Sequence, residues 1–192
     1  MSIRAEMVQL LEGGNPFVGL SDELQASLNS FAGSLAFWMG NPTLGNMQSV
    51  SRTWKGSKEL RSWLKQHVNL SSYTLFYGRR LEDELPVIGA PLSRRGSVLQ
   101  WSTRKKIAQW FAGIGTTKPT WAAGALVQAT ATGSNVVVDI DRFSALAGRH
   151  HKDFAALMTR SDPVEMFSGE QYEGEVLTTS KVKGTIIEVE RF

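Results

Sequence analysis

Two glutamates one residue apart, Glu173 and Glu175, stand directly before a short apolar run, Val176-Leu177. On an extended strand such a pair shares one face. Carboxylates so placed can stabilise developing positive charge or take a proton, and they can equally be two solvated groups on an edge strand. Ser102-Thr103 follows a second short apolar run, Leu99-Gln100-Trp101, where the hydroxyls could meet a ligand or simply cap the next helix. Arg79 and Arg80 follow a third run, Tyr73 to Gly78. If the strand continues, Arg79 shares the face of Tyr77 and Arg80 points away.

The distribution of charge links these groups. No Asp or Glu occurs between Glu84 and Asp139, whereas Arg94, Arg95, Arg104, Lys105, Lys106 and Lys118 all fall inside that segment. From Asp162 onward the balance reverses, with Asp162, Glu165, Glu170, Glu173, Glu175, Glu188 and Glu190 against Lys181, Lys183 and Arg191. A basic middle and an acidic end suit an anion held near a working carboxylate, or two solvated surfaces of opposite sign. Arg104, Lys105 and Lys106 also crowd the expected first turn of a helix, where the macrodipole disfavours cations and a bound diphosphate would relieve the conflict.

Composition removes several chemistries. The 192 residues contain no cysteine, which excludes disulfides, thiolate metal sites and cysteine nucleophiles. His150-His151 with Asp153 lacks a third ligand at useful spacing, so no metal is expected. Neither a phosphate loop of the G-x-x-x-x-G-K-[ST] type nor G-x-G-x-x-G is present. The N-terminus lacks the apolar stretch of a signal peptide, and no run approaches the roughly 18 apolar residues of a membrane span, so a cytoplasmic protein without a membrane partner is expected.

The positioning elements read as follows. Residues 21–38 form a helix capped by Ser21, with Leu24, Leu28, Phe31 and Leu35 in a stripe and Gly40-Asn41-Pro42 as its stop. Residues 57–68 form a second helix, with His67 on its face. Strands are expected at 73–78 and 97–101, then a helix from Thr103 carrying Ile107, Trp110 and Phe111, then a loop over 113–124. Residues 125–131 and 136–140 read as strands joined by Gly133-Ser134-Asn135, and 151–160 as a helix with Phe154, Leu157 and Met158 inward. A loop over 161–172 precedes strands at 175–178 and 185–189, the latter with Thr185, Ile187 and Val189 on one face and Ile186, Glu188 and Glu190 on the other. Helices followed by mainly strands make an α+β domain, with residues 1–70 as its N-terminal helical part and 71–192 as its core.

Taken together, Glu173-Gly174-Glu175-Val176-Leu177 with Gly184-Thr185-Ile186-Ile187-Glu188-Val189, Leu99-Gln100-Trp101-Ser102-Thr103 with the helix to Ala112, and Leu75-Phe76-Tyr77-Gly78-Arg79-Arg80 resemble the mono-ADP-ribosyltransferase superfamily. The likeness covers about residues 70–192 and is to the arginine-serine-glutamate class of cholera-toxin-like, clostridial binary-toxin-like and bacteriophage enzymes. It implies a pair of small sheets around a cleft where NAD lies folded. NAD would serve as co-substrate, without a metal.

The resemblance also implies roles. Glu175 would be the catalytic carboxylate that stabilises the oxocarbenium-like ribose as nicotinamide leaves, and Glu173 would orient or deprotonate an arginine acceptor. Ser102, with Thr103, would position NAD and support Glu175. Arg79 would grip the diphosphate beside Gly78, with Tyr77 as the second candidate for that place, and Arg104 departs from the Ser or Thr usual at its position. The loop at 113–124 would lie near the nucleotide with Phe111 or Trp121 to stack on it, and 161–172 would recognise the target through Phe167 or Tyr172. The acceptor would be a protein, host transcription or translation machinery if the enzyme is phage-encoded and works in the host cytoplasm, and nucleic acid is a further acceptor class.

Two other readings stay open. One is a nucleic-acid-binding module using Arg79, Arg80, Arg94, Arg95, Arg104, Lys105 and Lys106 on phosphates with Trp101 and Trp110 interleaved. The other is a transferase fold that binds without catalysing.

Overall fold

A computed structural model describes residues 14–81, 86–92, 98–115, 122–168 and 174–192. Glu173, Arg94, Arg95, Lys118, Trp121 and Tyr172 lie outside the described residues. Helices α1 (Asp22–Gly40), α2 (Leu44–Gly56) and α3 (Lys58–His67) come first, followed by strands β1 (Ser72–Leu81), β2 (Pro91–Leu92) and β3 (Val98–Ser102). Helix α4 (Lys105–Ala112), strands β4 (Ala123–Thr132) and β5 (Val136–Asp139), helices α5 (Ile140–Arg149), α6 (His151–Leu157) and α7 (Ser161–Ser168), and strands β6 (Glu175–Thr179) and β7 (Gly184–Arg191) complete the order. The class is α+β, as the sequence predicts.

The described residues fall into two compact units, with the boundaries at Val68/Asn69 and inside α5 at Phe143/Ser144. The helical unit therefore takes in α6 and α7 as well as α1 to α3, whereas the sequence reading drew one boundary at residue 70. Its first three helices start where capping chemistry allows. The Ser21, Thr43 and Ser57 hydroxyls accept the N–H groups of Leu24, Asn46 and Leu60. Leu28, Phe31 and Leu35 of α1 are fully buried, and Phe17 packs on Trp63 and Phe154 at ring distances of 5.4 and 5.3 Å. His67 lies against the Trp63 ring at 5.3 Å, where burial lowers its pKa.

Helices α2, α5 and α7 correct the sequence reading, which places no helix at any of the three. Helix α2 has a weak apolar pattern and rests on its Thr43 cap and on packing against α1. Helix α7 replaces the expected loop, and Phe167, a candidate for touching an acceptor, is fully buried against Phe154. An aromatic next to a proline-containing turn reads as a loop residue until the hydrophobic partner is known.

In the second unit the strands form a seven-stranded antiparallel sheet in the order β2-β7-β4-β1-β3-β6-β5. The expected pair of small sheets is thus one sheet, yet a narrow one at its middle: among the described residues β1 pairs with β4 over ten residues, but with β3 only at Phe76↔Ser102. Beyond that point the second half of β1 is not paired to β3. One face of the sheet carries the core, including Tyr73, Leu75, Leu99, Trp101, Ala125, Val127, Val176 and Ile186.

Helix α4 covers the other face and lies directly on the strand backbones. A Cβ on Gly78 would fall 1.8 Å from the Ala108 carbonyl oxygen, and one on Gly124 would fall 2.3 Å from that of Ala112. Only glycine beneath, with alanine above, permits this approach. The strand β7 departs from strict alternation: Val127 pairs with Ile186 and Leu126 with Glu188, so Ile187 is an extra, bulged residue. The bulge puts both Ile186 and Val189 against the core and breaks the expected face assignment.

Candidate active site

The place where β1 and β3 part is a cleft of about 600 Å3. Phe76, Tyr77, Gly78, Arg79 and Arg80 line it from β1, Gln100, Trp101 and Ser102 from β3, Ile107, Ala108 and Phe111 from α4, and Glu175 from β6. The size is that of a small-molecule pocket, and the lining combines apolar and aromatic walls with a few polar groups. The sequence candidates Tyr77, Gly78, Arg79, Ser102 and Glu175 are all brought together here. Glu173 lies outside the described residues, and Thr103 borders the site without lining it.

Register explains how groups from distant parts of the chain meet. Phe76 pairs with Ser102 and Ser102 pairs with Glu175, so one row crosses three strands. Directly opposed residues lie about 5 Å apart on one face, which makes Ser102 and Glu175 neighbours on that face. Gln100, two residues before Ser102, occupies the same face, and its Nε2 donates to Glu175 Oε1. Gln100 is the functional candidate that the sequence reading missed; the available signal was its two-residue spacing from Ser102 on a strand. Ser102 is not the cap of α4, whose N-cap is Arg104. Its Oγ accepts the Arg104 N–H at 3.0 Å, closing a tight turn at the end of β3.

The arginines divide between the two faces. Alternation from Phe76 places Gly78 and Arg80 on the face of Gln100, Ser102 and Glu175, and Arg79 on the opposite one. Tyr77 and Arg79 share a face, as the sequence reading has it, and both line the cleft from the side opposite to Glu175. Arg80 Nε donates to the Phe111 carbonyl at 2.9 Å, at the C-terminal end of α4 where the helix dipole favours a cation. Arg79 also borders the cleft, and among the described residues its guanidinium has no hydrogen bond or ion pair. On the core face, Tyr77 and Trp101 meet edge to face at 6.2 Å and close the floor.

Two of the three crowded cations at the start of α4, Arg104 and Lys105, find partners within the unit. Arg104 lies 3.8 Å from Asp141, and Lys105 lies 3.4 Å from Glu188, which also accepts from Gln109. The expected call for an anion there is answered by carboxylates of α5 and β7. Phe111 is 41% exposed at the cleft wall, with Trp110 edge-on to it at 5.0 Å. Among the described residues no group of three His, Asp or Glu side chains could hold a metal, and no helix is long and apolar enough to cross a membrane.

Comparison with protein families, with curated proteins and with solved structures finds no match to this chain.

Proposed function

We propose that the chain is a mono-ADP-ribosyltransferase of the arginine-serine-glutamate class that binds NAD in the β1/β3 cleft. The observation that carries this reading is the direct opposition of Ser102 and Glu175 in a cleft that also holds two arginines. Three sequence segments that resemble the family in the order arginine, serine, glutamate converge there from positions as far apart in the chain as Arg79 and Glu175. In this reading the sheet halves on either side of Phe76↔Ser102 serve as the two walls that the family fold requires.

The chemistry asked of the residues is modest. As the bond between nicotinamide and ribose breaks, nicotinamide leaves with the bonding electrons and the sugar carbon gains positive charge. The Glu175 carboxylate, held by Gln100, faces that charge and stabilises it without reorganising. Arg79 and Arg80 supply donors and charge for the diphosphate, and Phe111 offers a ring face for a heteroaromatic base. An acceptor nitrogen then attacks the sugar carbon and gives up its proton. Glu173 is the proposed base, with arginine on a protein as the proposed acceptor.

The nucleic-acid reading is weakened because Arg104 and Lys105 are paired with carboxylates. Release of nicotinamide from NAD, measured with and without a lysate of acceptors, tests the proposal. Turnover is expected in the native protein and should fall by about a hundredfold or more in Glu175→Gln, as for loss of one transition-state contact. Absence of turnover in the native protein under both conditions would overturn it.

A further inference from the structure

Glu175 is the first residue of β6, and the β3–β6 ladder begins at its pair with Ser102. A terminal ladder residue frays unless something beyond the strand holds it. Here the preceding residue, Gly174, is held from two sides. Its carbonyl accepts the Thr103 N–H at 2.7 Å and the Thr103 hydroxyl at 3.2 Å. Its N–H donates to Asp141 Oδ2 at 3.1 Å, across 33 residues of sequence. Gly174 turns at φ 65°, and a Cβ there would lie 2.4 Å from the Thr103 hydroxyl, so the turn tolerates no side chain.

We propose that Asp141 is the positioning residue for the candidate carboxylate: by holding the Gly174 N–H it fixes the turn that sets Glu175 opposite Ser102. The inference rests on the reading of Glu175 as the catalytic group. It also accounts for Arg104, the departure from the family's Ser or Thr, because its guanidinium lies 3.8 Å from the same Asp141 oxygen. Burial pushes the Asp141 carboxyl up, whereas the Glu175 and Gly174 N–H groups and Arg104 pull it back, so the backbone it anchors helps keep it ionised. Asp141 stands in the first turn of α5 and so refers the position of Glu175 to a helix rather than to a loop.

The test combines kinetics with a readout that needs no activity. In Asp141→Ala, kcat for nicotinamide release should fall by about 10- to 100-fold with KM for NAD within about twofold, the pattern of a misplaced catalytic group. Asp141→Asn keeps an oxygen for the Gly174 N–H and should stay within about threefold of native, and Arg104→Gln, which removes only a half-exposed ion pair, within about twofold. Hydrogen exchange at the Gly174 amide should quicken about tenfold or more in Asp141→Ala while Val176 and Leu177 stay protected. Unchanged Gly174 exchange, or faster exchange throughout β6, would overturn the proposal whether or not the protein turns over NAD. Raised KM with native kcat would overturn it too. Lack of turnover in the native protein, by contrast, would strike only the functional reading.

Discussion

Asp139 shows how much a single side chain in this fold can owe to its surroundings. It is 5% exposed, and burial lifts its pKa from 3.8 to about 6, against the opposing pull of the Arg142 N–H, the Arg142 charge and the Tyr73 hydroxyl. Tyr73 is pushed far above the usual phenol range by the same burial and by Asp139. A carboxyl with a folded pKa above its unfolded one binds its proton more tightly when folded. Its contribution to stability is therefore full below about pH 4 and is lost as pH rises through about 6. Two units correspond to roughly 3 kcal/mol. Asp139→Asn does not titrate, so its stability relative to native protein should rise by about 2–3 kcal/mol between pH 4 and pH 7 in urea unfolding. A difference that stays flat with pH would show that Asp139 keeps an ordinary pKa. None of this was visible in the chain itself, where Asp139 reads as the end of a strand.

At the scale of elements, the joint between α4 and the sheet decides the shape of the cleft wall. The helix was legible in sequence because Ile107, Trp110 and Phe111 recur at helical spacing, and β1 because Tyr73 to Gly78 is rich in aromatic and branched residues. That Gly78 lies under Ala108 was not legible, since the contact is made between two backbones. Gly78→Ala would drive a Cβ into the Ala108 carbonyl at 1.8 Å and the Ala112 nitrogen at 2.7 Å, neither of which can rotate aside. The cost should exceed the roughly 1–3 kcal/mol of ordinary overpacking. A fall in Tm of about 10 °C or more, or failure to fold, is expected. Gly56→Ala, with nothing within 4 Å, should be near neutral and serves as the control. A Gly78→Ala protein melting within about 2 °C of native would refute the close approach. Helices α5 and α7 escaped the sequence reading for a related reason: α5 follows β5 without any breaker, and α7 has only eight residues around a proline.

For the whole molecule, the consequence of topology is that the helical unit and the sheet unit are not two successive pieces of the chain. The helical unit is built from both the N-terminal segment and the segment that begins at Ser144. A chain cut to residues 69–192 would keep α6 and α7 while losing Phe17 and α1, on which Phe154 and α7 pack. Phe154 and Phe167, now 1% and 0% exposed, would lose these partners. Such a chain should aggregate or bind a hydrophobic dye, as judged by size-exclusion chromatography and fluorescence. A soluble, cooperatively unfolding monomer would show instead that α6 and α7 can dispense with the N-terminal helices.

The sequence alone determined what local physics governs. Capping hydroxyls at Ser21 and Ser57, alternating and branched runs, the turn after β4, the absence of cysteine and the order of the arginine, serine and glutamate segments are all properties of neighbouring residues. Such signals are readable because caps, turns and side-chain periodicity act over a few positions. Only the tertiary structure decided which residues face one another. The row Phe76–Ser102–Glu175, the placement of Arg80 on the face of Glu175, the Gln100 hydrogen bond, the bulge at Ile187 and the anchoring of Gly174 by Asp141 all depend on strand register and helix placement. Register is set by the summed packing of whole strands, and a shift of one residue would exchange every face.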